Sequence, residues 1–401
     1  MIINKRIDLL NVMLFLASPF LAIPSIFYGV IQKSKFSLGL LIMTFGLTSY
    51  YYIPNFSDDK ARYFEIYEDF QGATFLDMFS FFFLSSQDFI LQSLFYVASQ
   101  MQIPAQLIFA LVTIITLSLI FKIYYKIYDR FEKIEKKHAL ISLILLIFSL
   151  SYLDLFSGTR FMFATSFLVY SFYAGLIEKK KKLAIILLLV ACFIHFSTVT
   201  FVAIYLMLLI YPKHSNLYKT IFFISMIFLL LPKDILFNLV SSLGFSGALE
   251  AKSKVYLNEN DFIESGLETG TFGSFVIYYV GLLWIFASYI YLIITMKNKS
   301  LFRNIVLLLG AAINLFYAVP TVFFRYALIY KLLFTFLLIW ELYREKRFKI
   351  VYTFIALFFM GNITQIIVTR NNIEKSFINA DNFFLLNIFT KPEITPNDFI
   401  Y

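Results

Sequence analysis

The sequence predicts an all-α fold, a polytopic membrane bundle of about 10–12 spanning helices in one domain over residues 1–401. Three observations predict it. Of the residues, 60% are hydrophobic, 20% aromatic and only 15% charged, a balance that soluble globular domains do not reach. Apolar runs of roughly 17 to 25 residues recur from end to end, each long enough to cross about 30 Å of hydrocarbon as a helix. The alternating segments of about ten residues that a β-barrel would need are absent.

The first apolar stretch, Ile7 to Ile31, runs past the length of a signal h-region and lacks a small-residue cleavage site, so it is expected to remain as one spanning helix. Residues 54–103 then form an extramembrane loop. Within it, "FLDMFSFFFL" and "QDFILQSLFYVASQM" predict interfacial amphipathic helices over 74–84 and 87–101. A polar loop over 232–271 and a tail over 370–401 are the other extramembrane segments; the stretch Gly244 to Ser274 is long enough to cover a site. The single cysteine, Cys192, excludes an internal disulfide.

Charge assigns the sides. Basic clusters fall at Lys33/Lys35, in the run Lys122 to Lys137, at Lys179 to Lys182, Lys213/Lys219, Lys297/Lys299/Arg303 and Arg344 to Lys349. The proposed inner loops around them hold 21 Lys and Arg against 6 Asp and Glu, whereas the opposite segments, termini included, hold 12 against 19, Lys331 lying inside a helix. The positive-inside rule makes the clusters cytoplasmic and puts both termini, 54–103, 154–160, 232–271 and 318–325 on the other face.

This parity constrains the run "KKKKLAIILLLVACFIHFSTVTFVAIYLMLLIYPKHSNLYK", Lys179 to Lys219. Both of its ends are basic, so the chain between them crosses an even number of times, yet its apolar part is too short for two full spans. Two short helices are predicted, about 183–194 and 197–211, broken near His195, each arm about 18–23 Å long at 1.5 Å per residue. The rival is one long tilted helix with reversed parity beyond it. A break at membrane depth survives only in protein or at a wet cavity.

Ionisable groups near or within spans are expensive and point to function. "YLDLFSGTRFMFA" holds Asp154 and Arg160 at the outer face, "AVPTVFFRYALIYK" puts Arg325 at a helix start with Lys331 inside it, and "NFSDDKARYFEIYEDF" carries Asp58, Asp59, Arg62 and Tyr63. On the inferred topology Asp59, Arg160, His195 and Arg325 share one side. Each has a plainer reading: arginines snorkel, a lone histidine links helices, aspartates cap helices and lysine runs set topology. Phosphate loops, dinucleotide fingerprints, zinc-type histidine pairs and nucleophile elbows are absent.

Taken in order, the polar positions resemble the EpsG-like family of Wzy-type polysaccharide polymerases. The resemblance rests on Asp59 and Tyr63 in "DKARYFEIYE", Asp88 in "SQDFILQ", Gly158, Arg160 and Ala164 in "SGTRFMFATS", His195 and Ser197 in "CFIHFSTV", and Arg325 and Tyr326 in "FFRYALIY". It covers roughly 45–340. Two positions depart from the family pattern: Ser57-Asp58 stands where Gly-Thr precedes the aspartate, and Phe161 follows the arginine in place of Gln.

The resemblance implies a bacterial inner (cytoplasmic) membrane glycosyltransferase. Its donors would be undecaprenyl-diphosphate-linked oligosaccharides, joined on the periplasmic face into O-antigen, capsule or exopolysaccharide. The residues suit that task. Arginine holds phosphate oxygens in a planar fork, so Arg160 and Arg325 are expected to bind the diphosphate, and Asp59 or His195 to act as base on the acceptor hydroxyl. Tyr63, Asp154, Ser197 and Tyr326 are expected to contact sugar or orient these groups. No cofactor and no metal is expected. The expected partners are the lipid-linked oligosaccharide, membrane lipids, a chain-length regulator and a flippase, with no nucleic acid. A carrier that flips lipid-linked sugars without making a bond, or a ligase using the same donor, are the alternatives.

Overall fold

The computed structural model describes residues 5–56, 58–86, 88–131, 134–232, 272–344, 348–376 and 394–400, with isolated positions 235, 263, 267 and 268. Most of the predicted loop 232–271 and much of the tail 370–401 lie outside the described residues.

Among the described residues the chain is mostly helical. Helices α1 (Lys5–Ala17), α2 (Ile23–Ile31) and α3 (Lys35–Tyr51) lead into α4 (Asp59–Asp69), α5 (Phe75–Phe79) and α6 (Ile90–Gln100). Helices α7 (Ala105–Arg130), α8 (Lys136–Ser149), α9 (Tyr152–Phe156), α10 (Thr159–Phe172), α11 (Lys181–Ile194), α12 (Val199–Ile210) and α13 (Ser215–Ser225) follow. Beyond the loop come α14 (Phe272–Ile294), α15 (Leu301–Asn314), α16 (Pro320–Arg344) and α17 (Phe348–Ser376). Among the described residues five helices are long and apolar enough to cross a membrane: α7, α10 with its wider last turns to Ile177, α14, α16 and α17; shorter apolar helices accompany them.

Burial ranks these spans. The apolar windows of α10 and α16 are 83% and 78% buried, whereas that of α17 is only 22% buried. A helix apolar on every side belongs in a bundle's centre, and α10 and α16 occupy it.

The basic clusters gather at one end, as the charge bias requires. Tyr125 donates to the Ser34 carbonyl at 2.8 Å, Lys33 pairs with Asp129 at 3.4 Å, and Lys126 pairs with Glu178. Arg130 lies over the Trp340 ring at 5.3 Å, and Asn304 donates to the Pro212 carbonyl at 3.1 Å. At the opposite, acidic end, the Ile53 N–H donates to the Ser376 carbonyl at 3.1 Å, and Asn55 bridges in parallel to Ile400. Phe399 is buried there against Phe64.

The helix break at His195 forms as expected, and the chain turns back at it. His195 is extended, with φ −149° and ψ 106°, between α11 and a 3-10 turn over Phe196–Thr198. Tyr205 of α12 and Ala184 of α11 both crowd Gly175, where an added Cβ would lie 2.6 Å from the Ala184 Cβ. Were α11 and α12 one continuous helix, positions 184 and 205 would be about 30 Å apart. They are level with each other, so the two arms form a re-entrant V.

The N-terminal expectation is overturned. Ile7 to Ile31 is two helices, not one span, because Pro19 and Pro24 interrupt the backbone ladder around the turn between α1 and α2. Asn11 bridges the three helices: its amide donates to the Ser37 hydroxyl at 2.9 Å and its carbonyl oxygen accepts from Ser25. Asp8 accepts from the Ser34 hydroxyl at 2.7 Å, so the described start of the chain lies at the basic end.

The predicted interfacial segments fold as α5, continued by a wider helical turn over Ser80–Ser86, and α6. With α4 and the start of α7 they build a second apolar cluster around Phe64, Phe70, Phe95 and Phe109, which caps the acidic end.

Candidate active site

At the acidic end three side chains from separate segments converge. Asp88 stands just before α6, Arg160 is the second residue of α10, and His195 occupies the break after α11. Arg160 Nη1 donates to Asp88 Oδ2 at 2.6 Å, and the Phe196 N–H donates to Asp88 Oδ1 at 2.7 Å. His195 Nδ1 lies 3.8 Å from the same Oδ1, beyond hydrogen-bond reach; a small ring movement would close it. The ring packs edge-on against Phe161, centroids 5.5 Å apart. Phe161, which follows Arg160 in the sequence, thus holds the His195 ring from one side.

Exposure sorts their roles. The Arg160 side chain is 27% exposed, His195 12% and Asp88 4%, so Asp88 is the buried anchor and the arginine is the group that solvent reaches. Burial would raise the Asp88 carboxyl, but His195, Arg160 and the Phe196 N–H outweigh it and hold the group below the usual carboxylate range. Asp88 is therefore ionised at neutral pH, and it fixes the guanidinium and the His195 turn together. A cation in the first turn of α10 opposes the helix dipole. The same placement adds arginine charge to N-terminal N–H groups, a combination suited to an anion.

Helix α16 is tied to the same turn. Tyr326 donates to the Ser197 carbonyl at 2.9 Å and accepts from the Thr200 hydroxyl at 3.2 Å, tying α16 to the turn that follows His195. Arg325, half-buried beside it, acts electrostatically on both His195 and Asp154. Asp154 accepts from the Ser151 hydroxyl at the start of α9. Gly158 packs closely on this segment, since an added Cβ would sit 3.3 Å from the Asp154 Cα. Among the described residues no three His, Cys, Asp or Glu side chains gather in a way that would hold a metal ion.

The profile of the EpsG family matches residues 35–381, the span that holds all of these groups. The chain belongs to the EpsG family, a Wzy-like polymerase family. No curated protein and no solved structure matches it.

In this EpsG-family chain some expected contacts fall elsewhere. Tyr63 is 4% exposed and its ring is stacked on Phe95 at 5.5 Å, so its face packs the cap and is closed to a sugar. Asp59 heads α4 and pairs with Arg62 of the same helix, while Asp58 accepts from the Tyr52 hydroxyl at 3.1 Å and the Asn55 N–H at 3.0 Å. Asp58 thus braces the turn after α3. Lys60 supports the same turn, fully buried and donating to the Ser49 and Tyr52 carbonyls. Ser197 offers Tyr326 its carbonyl, and Lys331, buried further along α16, donates to Asn362 and acts electrostatically on Asp154. Asp88 is the residue whose role sequence reasoning missed: it entered the motif series without a task, because its partners lie 72 and 108 positions away.

Proposed function

We propose that this EpsG-family protein is a membrane glycosyltransferase that joins lipid-diphosphate-linked oligosaccharide repeat units into a surface polysaccharide. The convergence of Arg160 and His195 on Asp88 carries this reading. Arg160 and Arg325 bind the diphosphate of an undecaprenyl-type donor. His195, with Asp88 drawn onto its Nδ1, takes the acceptor hydroxyl proton at its other ring nitrogen. The acceptor oxygen bonds to the donor's anomeric carbon as the bond from that carbon to the phosphate oxygen breaks, and the lipid diphosphate departs as an anion held by the arginines. Asp59, on the rim of the same end, is the reserve candidate for the base, and Asp154 orients Arg325. The acidic end is the periplasmic face of a bacterial inner membrane, where a flippase delivers units and a chain-length regulator sets the extent of joining.

The test is purified protein in nanodiscs with its undecaprenyl-diphosphate repeat unit, products resolved by size. A ladder of multiples that disappears in Arg160→Ala and His195→Ala, with folding intact, supports the polymerase. Transfer of the intact unit across a vesicle membrane with no ladder would replace it with a carrier.

A further inference from the structure

Helix α3 outreaches the α1–α2 hairpin that packs on it. Gly29 of α2 lies against Ser37 of α3, where an added Cβ would sit 2.7 Å from the serine Cβ. Counted antiparallel from that contact, Ile23 is level with about Met43, so roughly 12 Å of α3 runs on toward the acidic end beyond α2. A cavity of about 460 Å³ follows α3 through this step, from Leu41 to Tyr52, with the hairpin on one side, Leu153 and Phe156 of α9 on another, and α17 at Ile366. Phe20 and Leu153 stand at its mouth, 41% and 40% exposed, so it opens sideways into the hydrocarbon.

Its chemistry is that of a hydrocarbon site. Four side-chain hydroxyls belong to its lining among the described residues, and each donates within the protein. Thr44 donates to the Leu40 carbonyl at 3.0 Å, Thr48 to the Thr44 carbonyl at 2.9 Å, Tyr52 to Asp58 at 3.1 Å and Tyr152 to the Ile147 carbonyl at 2.9 Å. No hydroxyl proton is left for a sugar or an ordered water, and an apolar cavity of this kind stays dry. Two ring pairs stiffen the wall: Phe45 is stacked on Tyr152, centroids 6.0 Å apart, and Tyr52 is tilted on Phe156 at 5.9 Å.

We propose that this groove holds the isoprenoid tail of the lipid diphosphate, an inference that rests on the active-site reading above. Hydrocarbon gives a chain no hydrophobic reason to leave the bilayer for a groove, so position and shape select the occupant. Position favours the substrate, because α9 is shared: Leu153 and Phe156 line the groove, and Asp154 between them lies within the electrostatic reach of Arg325, one of the two arginines assigned to the diphosphate. A tail tied to that diphosphate is held beside the groove, whereas a phospholipid is not. Shape favours it again. The double bond in each isoprene unit cannot rotate, so an isoprenoid loses less freedom than a saturated acyl chain when a stiff wall orders it.

The test uses the full chain in phosphatidylcholine nanodiscs with undecaprenyl diphosphate bearing a diazirine in its tail. Labelled residues are mapped by mass spectrometry, and affinity is read by competition with the unlabelled lipid. Labelling of α3 and α9 within the groove is expected. Thr48→Trp fills the groove and is expected to weaken binding about tenfold. Met43→Trp puts the same indole on the same helix outside the lining, at a 41% exposed position, and is expected to leave binding unchanged. Thr48→Cys in a Cys192→Ser background, plugged after folding by an alkyl thiosulfonate, is expected to show the tenfold loss only once plugged. Equal losses at Thr48 and Met43, or labelling that ignores the plug, overturn the proposal. A diazirine-tailed phosphatidylglycerol that labels the groove and is not displaced by undecaprenyl diphosphate would overturn the isoprenoid as its occupant. The ladder assay separates the two readings: groove labelling with no wild-type ladder removes the polymerase and leaves the groove, whereas a wild-type ladder that the plug leaves unchanged removes the groove alone.

Discussion

Replacing Asp88 with asparagine tests the centre of the site. The carboxylate accepts one charged and one backbone hydrogen bond, at 2.6 and 2.7 Å, while 3% exposed. Asparagine keeps one carbonyl oxygen and turns an N–H₂ toward the other donor. Breaking a fully buried ion pair costs about 3–5 kcal/mol. Because the Arg160 side chain is 27% exposed, water takes up part of that cost, and about 2 kcal/mol is expected. A thermal melt in nanodiscs should fall by about 2–4 °C. Polymerisation should suffer more than stability, with the rate down about a hundredfold or more, since both the diphosphate clamp and the proposed base lose their anchor. Wild-type ladder formation with an unchanged melt would refute the assignment of Asp88 as the organising residue. A large loss of stability with full activity in the surviving fraction would leave it a purely structural ion pair.

Other consequences are as direct. Arg160→Lys keeps the charge but loses the planar fork, so donor KM should rise about tenfold or more with the fold intact; unaltered donor KM would remove Arg160 from the diphosphate site. Because the Asp88 carboxyl is held low in the folded protein, its contribution to stability is fully present above the unfolded value of about 3.9 and is lost as pH falls through the folded one. Melts should thus be insensitive to this group above about pH 5 and drop in acid, with a smaller acid drop in Asp88→Asn. Gly175→Ala drives a methyl against Ala184 and Tyr205, and should destabilise the re-entrant pair by about 1–3 kcal/mol, read as a lower melting temperature. A cysteine at Arg6, in a Cys192→Ser background, should react with a thiol reagent applied on the face that holds Lys33 and Lys35; labelling from the opposite face would refute the α1–α2 hairpin.

What the sequence by itself determined was set by solvent. Hydrocarbon demands long apolar helices, and charge bias sorts their ends, so the helical bundle, the common end of the basic clusters and the break at His195 were all legible. The same rule carried the signal that the N-terminal reading overlooked: Lys5 and Arg6 precede the first apolar run, and the Pro19–Pro24 interval marks the hairpin that brings them to the basic end. Arg160, His195 and Arg325 were conspicuous for a related reason, since charge near a membrane core is costly and stands out.

Tertiary structure decided which of the costly groups meet. Asp88, in a short segment between two small helices, looks like any loop aspartate, and only the docking of the α4–α6 cap onto α10 and α11 puts it between Arg160 and Phe196. The adjacent acids Asp58 and Asp59 went the other way, into a turn brace and a pair within one helix. Tyr63, reachable in an extended reading, was closed by its stack on Phe95. Local pattern reports the cost of placing a side chain against its solvent; pairing depends on long-range packing, which no local spacing encodes.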